Sequence, residues 1–83
     1  PELTSERRKE SVNLAKSQAA DGKVAVRNIR RKAKETIDKS VKDGEMGEDE
    51  GDRLLKELDK VTKQVTDQLD ALFETKQKEI MEV

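Results

Sequence analysis

Residues 42–48 read KDGEMGE, and this short polar stretch decides the fold. The chain on either side of it has no proline after Pro1, and Gly22 and Gly51 are its other glycines. Gly44 is placed to end one helix in the left-handed conformation, and the acids of residues 48–50 suit the dipole at the start of the next. Because only about four residues connect the two helices, they must fold back as an antiparallel pair.

The segment before the turn is predicted to be one helix, from about residue 5 to residue 43. Thr4 suits the N-cap position, and Glu6 lies in the first turn, where a carboxylate favours the helix dipole. Apolar or small residues recur every three or four positions, the period of one helix face. These residues are Val12, Ala15, Ala19, Gly22, Val26, Ile29, Ala33, Ile37 and Val41. A glycine inside a helix costs about 1 kcal/mol relative to alanine, so Gly22 indicates either a close approach of the other helix or a tolerated weak position.

The second helix is predicted from about residue 48 to residue 81, with a clean apolar stripe. The stripe comprises Leu54, Leu58, Val61, Val65, Leu69 and Leu72, widened by Leu55 and Phe73. Both stripes are wider than a two-helix contact requires, and a hairpin of this size has a poor core on its own. We therefore expect a missing partner, which is either a third helix or a second copy of the chain.

The composition excludes several classes of site. The 83 residues include no cysteine, no histidine and a single aromatic residue, which excludes disulfides, Cys or His metal sites and thiol nucleophiles. The acidic tract of residues 43–52 lacks the ligand spacing of a calcium loop and is explained by the helix start. No apolar run could span a membrane. We expect no catalytic residue, metal, cofactor, small-molecule substrate or membrane contact, and hence no enzyme.

A basic ridge is the sharpest local feature. Residues 1–34 carry ten basic and four acidic side chains, whereas residues 35–83 carry eight basic and fifteen acidic ones. The basic ridge consists of Lys23, Arg27, Arg30, Arg31 and Lys34, which share one side of the first helix beside its apolar stripe. Arginines at this spacing suit successive phosphates, and without aromatic residues to stack bases, structured RNA is the better fit. The alternative is a solvated face paired with acids of the second helix.

Four stretches resemble bacterial ribosome recycling factors, in order along the whole chain. They are PELTSERRKE at residues 1–10, KVAVRNIRRKA at 23–33, the turn residues 44–45 with 48–50, and KQKEIMEV at 76–83. The run at 23–33 is the most specific of them.

The resemblance implies a long three-helix bundle with a β-rich domain inserted after its first helix. This all-α chain (residues 1–83) would then be two antiparallel helices forming two-thirds of that bundle, without the first helix and the inserted domain. Two departures from the family stand at the start of the second helix: Gly47 occupies a position that is often serine, and Gly51 lies in the first turn. Both weaken that helix start, which we expect to fray.

The resemblance also implies a function. The family is cytoplasmic and non-enzymatic, and it splits ribosomes after termination together with elongation factor G and GTP hydrolysis. Its helical domain touches large-subunit ribosomal RNA, with the acidic helix expected to face away. The candidate RNA-binding residues are Lys23, Arg27, Asn28, Arg30, Arg31 and Lys34, of which Arg27, Arg30 and Arg31 match the family's RNA-contacting arginines. A structural coiled-coil or oligomerisation module without an RNA role is the alternative.

Overall fold

Two α-helices make up the fold in the computed structural model, which describes residues 4–82. They are α1 (Ser5–Lys42) and α2 (Glu48–Met81), and they pack against each other as a rod with Cα extents of 63 × 15 × 12 Å. The N-cap Thr4 accepts a 3.2 Å hydrogen bond on its Oγ1 from the backbone N–H of Arg7. The predicted all-α antiparallel pair is confirmed, while the predicted ends at residues 1–3 and 83 lie outside the described residues.

The turn between the helices forms as Gly44 predicts. Its φ of +78° is left-handed, and its N–H donates to the carbonyl of Val41 at 3.1 Å. The next N–H, of Glu45, donates to the carbonyl of Ser40 at 3.0 Å. This pair of bonds is the Schellman arrangement, which satisfies carbonyls left free at a helix end. It ends α1 at Lys42, one residue before the predicted end.

Gly51 is a packing requirement, and the prediction that treated it only as a weak position is wrong. It is the one buried residue within residues 4–82. A Cβ at this position would lie 2.6 Å from Cγ2 of Val41, and 3.8 Å from Cγ2 of Ile37. Because Cβ atoms do not approach other carbon atoms that closely, only glycine lets α2 begin directly against the end of α1. Gly47 caps α2 without a side-chain hydrogen bond, as expected for glycine.

Gly22 also faces the other helix, at a longer distance. A Cβ added there would lie 3.4 Å from Cδ1 and 3.6 Å from Cδ2 of Leu69, which is ordinary or slightly tight contact. Gly22 therefore faces the other helix, but this contact does not require glycine, which favours the tolerated weak position over a close approach. Unlike Gly51, it faces the end of a flexible leucine side chain and has room for a methyl group.

The contact between the helices covers only part of the apolar stripes. No apolar side chain of residues 4–82 is buried. Ile29 and Leu72 are 66% and 65% exposed, and Leu54 and Val61 are also exposed. We call Ile29, Leu54, Val61 and Leu72 the apolar rim. A stripe wider than the two-helix contact was predicted, and these exposed residues confirm it.

The contact passes through a threonine that the apolar pattern does not include. Thr62 is half-buried between the helices, whereas Val61 beside it is exposed. The Thr62 hydroxyl donates to the backbone carbonyl of Leu58 at 2.7 Å. The Thr66 hydroxyl donates to the backbone carbonyl of Thr62 at 2.9 Å. These bonds within α2 satisfy both hydroxyls, so the two threonines enter the contact without an unpaired polar group.

Candidate nucleic-acid interface

The predicted RNA-binding residues all lie in the middle of α1. From Lys23 to Lys34 they span about 16 Å of helix, at 1.5 Å per residue. The helix is continuous there, so its 3.6-residue turn fixes the directions of the side chains. What distinguishes the six residues from one another is their surroundings.

Two of the six residues form ion pairs with α2. The Nε of Arg30 donates to Oδ1 of Asp59 at 2.7 Å, and its Nη2 lies 2.7 Å from the same oxygen. Lys23 pairs through its Nζ with Oδ1 of Asp70. The expectation that the acidic helix faces away from the ridge is therefore wrong for these two carboxylates. The packing register of the helices sets them directly beside it.

Lys34 is paired within its own helix. Its Nζ lies 3.4 Å from Oδ2 of Asp38, one turn further along α1, and both side chains are about half exposed. Lys63 and Asp67 form a pair with the same spacing on α2. The hydrogen bond from Lys63 to Asp67 and the charge of that carboxylate raise the pKa of Lys63 above its ordinary 10.5. Exposed pairs of this kind are weak, so Lys34 can exchange its partner for a phosphate.

The remaining three residues are available to a ligand. Arg27, Asn28 and Arg31 are exposed, and within residues 4–82 they take part in no ion pair or side-chain hydrogen bond. Arg31 lies about 140° around the helix from Val26, which faces α2. Arg27 lies about 100° from Val26, so both guanidinium groups are turned out of the contact between the helices. Each offers five N–H donors in a planar fork that matches a phosphate.

The basic surface is longer than the predicted ridge. Lys9 and Lys16 are exposed and precede Lys23 and Arg30 at steps of seven residues. Seven residues are close to two helical turns, so all four side chains lie on one side of α1. The signal is present in the sequence as this heptad spacing, which is less conspicuous than the dense run at 22–34.

The rod has a charged side and an apolar side. Arg30 and Ile29 are neighbours in sequence but about 100° apart around α1. Arg30 reaches Asp59 on one side of the interhelix contact, and Ile29 lies with the rest of the apolar rim on the other. On the apolar side an open groove of about 340 Å³ is lined by residues of both helices. They are Ala15, Gln18, Ala19, Leu69, Leu72, Phe73 and Lys76.

No helix within residues 4–82 has the length and apolar character of a membrane span. Clustered guanidinium and ammonium groups without stacking aromatics are suited to a phosphate backbone rather than to base edges.

Comparison with known proteins gives consistent matches along the chain. The family model described as ribosome recycling factor matches residues 1–81. The chain is 82% identical over all of its 83 residues to the ribosome-recycling factor of Bifidobacterium adolescentis, and 83% identical to that of Bifidobacterium animalis subsp. lactis. It is 60% identical to that of an Arthrobacter species. In each case the match covers the whole chain but only 45% of the relative.

Proposed function

Because the chain belongs to the ribosome recycling factor family, we propose that its helices bind large-subunit ribosomal RNA through the basic ridge and Asn28. The observation that carries this proposal is the exposure of Arg27 and Arg31, which have no acidic partner within residues 4–82 and lie outside the contact between the helices. Lys23, Arg30 and Lys34 add positive charge beside them. Lys9 and Lys16 extend the same surface.

The proposed role is disassembly of post-termination ribosomes together with elongation factor G, in the cytoplasm and without catalysis by the chain itself. Membership of the family supports a role in ribosome recycling and protein biosynthesis. The chain spans 45% of the length of the relatives it matches, so the partnership with elongation factor G is assigned to the whole protein. The two helices supply the surface for the ribosome.

The proposal includes a first helix of the same domain that packs on the apolar rim, making α1 and α2 the second and third helices of a bundle. Supporting it are the exposed Ile29 and Leu72 and the groove beside Leu69, all on the side opposite the ion pairs. A helix that packs there would bury apolar surface, and each Å² of buried apolar surface stabilises the bundle by about 25 cal/mol. It would leave the basic ridge open to RNA.

A salt series of binding to isolated large ribosomal subunits tests the RNA proposal. The chain is compared with a variant in which Arg27, Arg30 and Arg31 are all changed to alanine. We expect weaker binding and a flatter dependence of log K on log salt, by up to about one unit for each phosphate that the variant no longer neutralises. Circular dichroism confirms that each variant remains helical.

A matched control removes the same charge from the other helix. Lys56, Lys60 and Lys78 are exposed on the outer side of α2, and their replacement by alanine also lowers the net charge by three. The control should retain most of the affinity and the salt slope. If both variants weaken equally, net charge rather than the ridge drives binding, and the proposal fails.

The exposed apolar rim also favours a second candidate, a coiled-coil or oligomerisation module. In that case a second copy of the chain would cover Ile29, Val61 and Leu72. Sedimentation with and without ribosomal RNA separates the two candidates. A stable dimer that is indifferent to RNA supports the module, whereas a species that sediments with the RNA supports the proposed RNA role.

A further inference from the structure

The pairing of Arg30 with Asp59 occupies only one edge of the guanidinium group. Nε and Nη2 both lie 2.7 Å from Oδ1 of Asp59. Of the five N–H donors of arginine, the two on Nη1 and one on Nη2 are left over. One N–H of Nη1 and the remaining N–H of Nη2 are parallel and form a second, outward edge, which can bind a phosphate through two hydrogen bonds.

We propose that Asp59 determines the selectivity of the basic ridge: it fixes the outward edge of Arg30 for a correctly placed phosphate and repels polyanions that are not so placed. The inference rests on the proposed RNA-binding function. Asp59 acts through Arg30 and is a positioning residue. The pair joins the two helices, and the contacts of Nε and Nη2 with one oxygen of Asp59 narrow the orientations of the guanidinium plane.

Two effects of the carboxylate oppose each other. Its negative charge beside the ridge disfavours every phosphate, which at low salt amounts to roughly threefold in affinity for one phosphate about 7 Å away in water. Its ion pair with Arg30 restricts the rotation of that side chain, so less conformational entropy is lost when a ligand binds. Flexible RNA experiences mainly the first effect. A rigid RNA surface that presents a phosphate to the outward edge benefits from the second effect. Asp59 therefore raises the ratio of the affinity for rigid RNA to the affinity for flexible RNA.

The ion pair is exposed enough to act on a ligand. The side chains of Arg30 and Asp59 are 37% and 57% exposed. The neighbouring pair of Lys23 with Asp70 has the same polarity, with the cation on α1 and the acid on α2. Lysine has no fixed fork to orient, however, so only the Arg30 pair combines repulsion with positioning.

Two substitutions separate charge from positioning. Asp59→Asn removes the charge and retains an oxygen that can accept from Nε, whereas Asp59→Ala removes both. Affinities are measured for single-stranded poly(U) and for large ribosomal subunits over a salt series. We expect both variants to bind poly(U) two- to fivefold more tightly at low salt, with a steeper salt slope. On subunits, Asp59→Asn should bind at least as tightly as the unmodified chain, and Asp59→Ala more weakly than Asp59→Asn.

The control is Glu79→Gln, which makes the same change of charge about 30 Å along α2. It should leave the ratio of subunit to poly(U) affinity unchanged. Asp59→Ala should lower that ratio because it loses the positioning of Arg30, and Asp59→Asn should lower it less than Asp59→Ala. If the ratio is the same in all four proteins and subunit binding by the unmodified chain is salt-dependent, the role of Asp59 is refuted and the proposed function stands. If the unmodified chain does not bind subunits, both fail. Circular dichroism shows whether each variant remains helical. If Asp59→Ala loses its helices, the comparison of Asp59→Asn with the unmodified chain alone tests the repulsion by Asp59.

Discussion

The two glycines inside the helices should respond in opposite ways to a single added methyl group. Gly22→Ala gains about 1 kcal/mol in helix propensity. Its new Cβ would meet only the end of the Leu69 side chain, at 3.4 Å. We expect the free energy of unfolding to rise by about 0.5 to 1 kcal/mol, which for a chain of this size raises the melting temperature by about 2 to 8 °C.

Gly51→Ala should destabilise the protein despite the same gain in propensity. Its Cβ would lie 2.6 Å from Cγ2 of Val41, about 1 Å inside ordinary contact. Val41 is β-branched and has one strongly preferred rotamer in a helix, so it cannot turn away. Overpacking of this kind costs about 1 to 3 kcal/mol. The net effect should be a loss of up to about 2 kcal/mol.

A double-mutant cycle isolates that contact. Val41→Ala removes the Cγ2 atom, so Gly51→Ala made in that background should become neutral or stabilising. The coupling between the two substitutions should be at least about 1 kcal/mol, as expected for residues in contact. Unfolding in urea is followed by circular dichroism at 222 nm. Stabilisation by Gly51→Ala equal to that of Gly22→Ala would refute the close approach at the turn.

Two further predictions concern the turn and the apolar rim. Gly44→Ala places a side chain at a φ of +78° and should lower stability by about 1 to 2 kcal/mol, measured by urea unfolding; an unchanged midpoint would contradict the turn geometry. Val61→Ser with Leu72→Ser changes side chains that are already exposed and should alter the stability of the chain by less than about 1 kcal/mol. If the proposed first helix packs on the apolar rim, a peptide with its sequence should raise the melting temperature of the unmodified chain, and the pair of substitutions should abolish that rise. A peptide that stabilises both forms equally would show that it binds elsewhere.

Local signals are enough to predict the helices and their connection. Thr4, Gly44 and the acids after Gly47 act within a few residues of the helix ends, so the bounds of α1 and α2 follow closely from them. An apolar stripe, however, predicts only that one face of a helix is buried. It does not identify the helix or chain that packs against that face. The apolar pattern therefore groups Ile29 and Val61 with residues of the interhelix contact, although they lie on the apolar rim.

The remaining features depend on how the two helices are placed against each other. Gly51 has an unfavourable helix propensity in isolation. Only the packing of Val41 against it shows why this position has no room for a side chain. The pairing of Arg30 with Asp59 likewise joins residues 29 positions apart. The basic residues can be found from their spacing along α1, but the division into paired and free cations requires the packing register.

Local cleavage of ribosomal RNA shows whether the ridge side of α1 lies on that RNA, as we propose. The chain has no cysteine, so a single cysteine can carry tethered Fe(II)-EDTA. Val24→Cys lies beside the ridge at a half-exposed position, and Gln64→Cys lies on the outer side of α2. With large subunits, we expect strong hydroxyl-radical cleavage of ribosomal RNA from position 24 and little from position 64. Cleavage from position 64 alone, or equally from both positions, would refute the proposed orientation of α1 on the RNA.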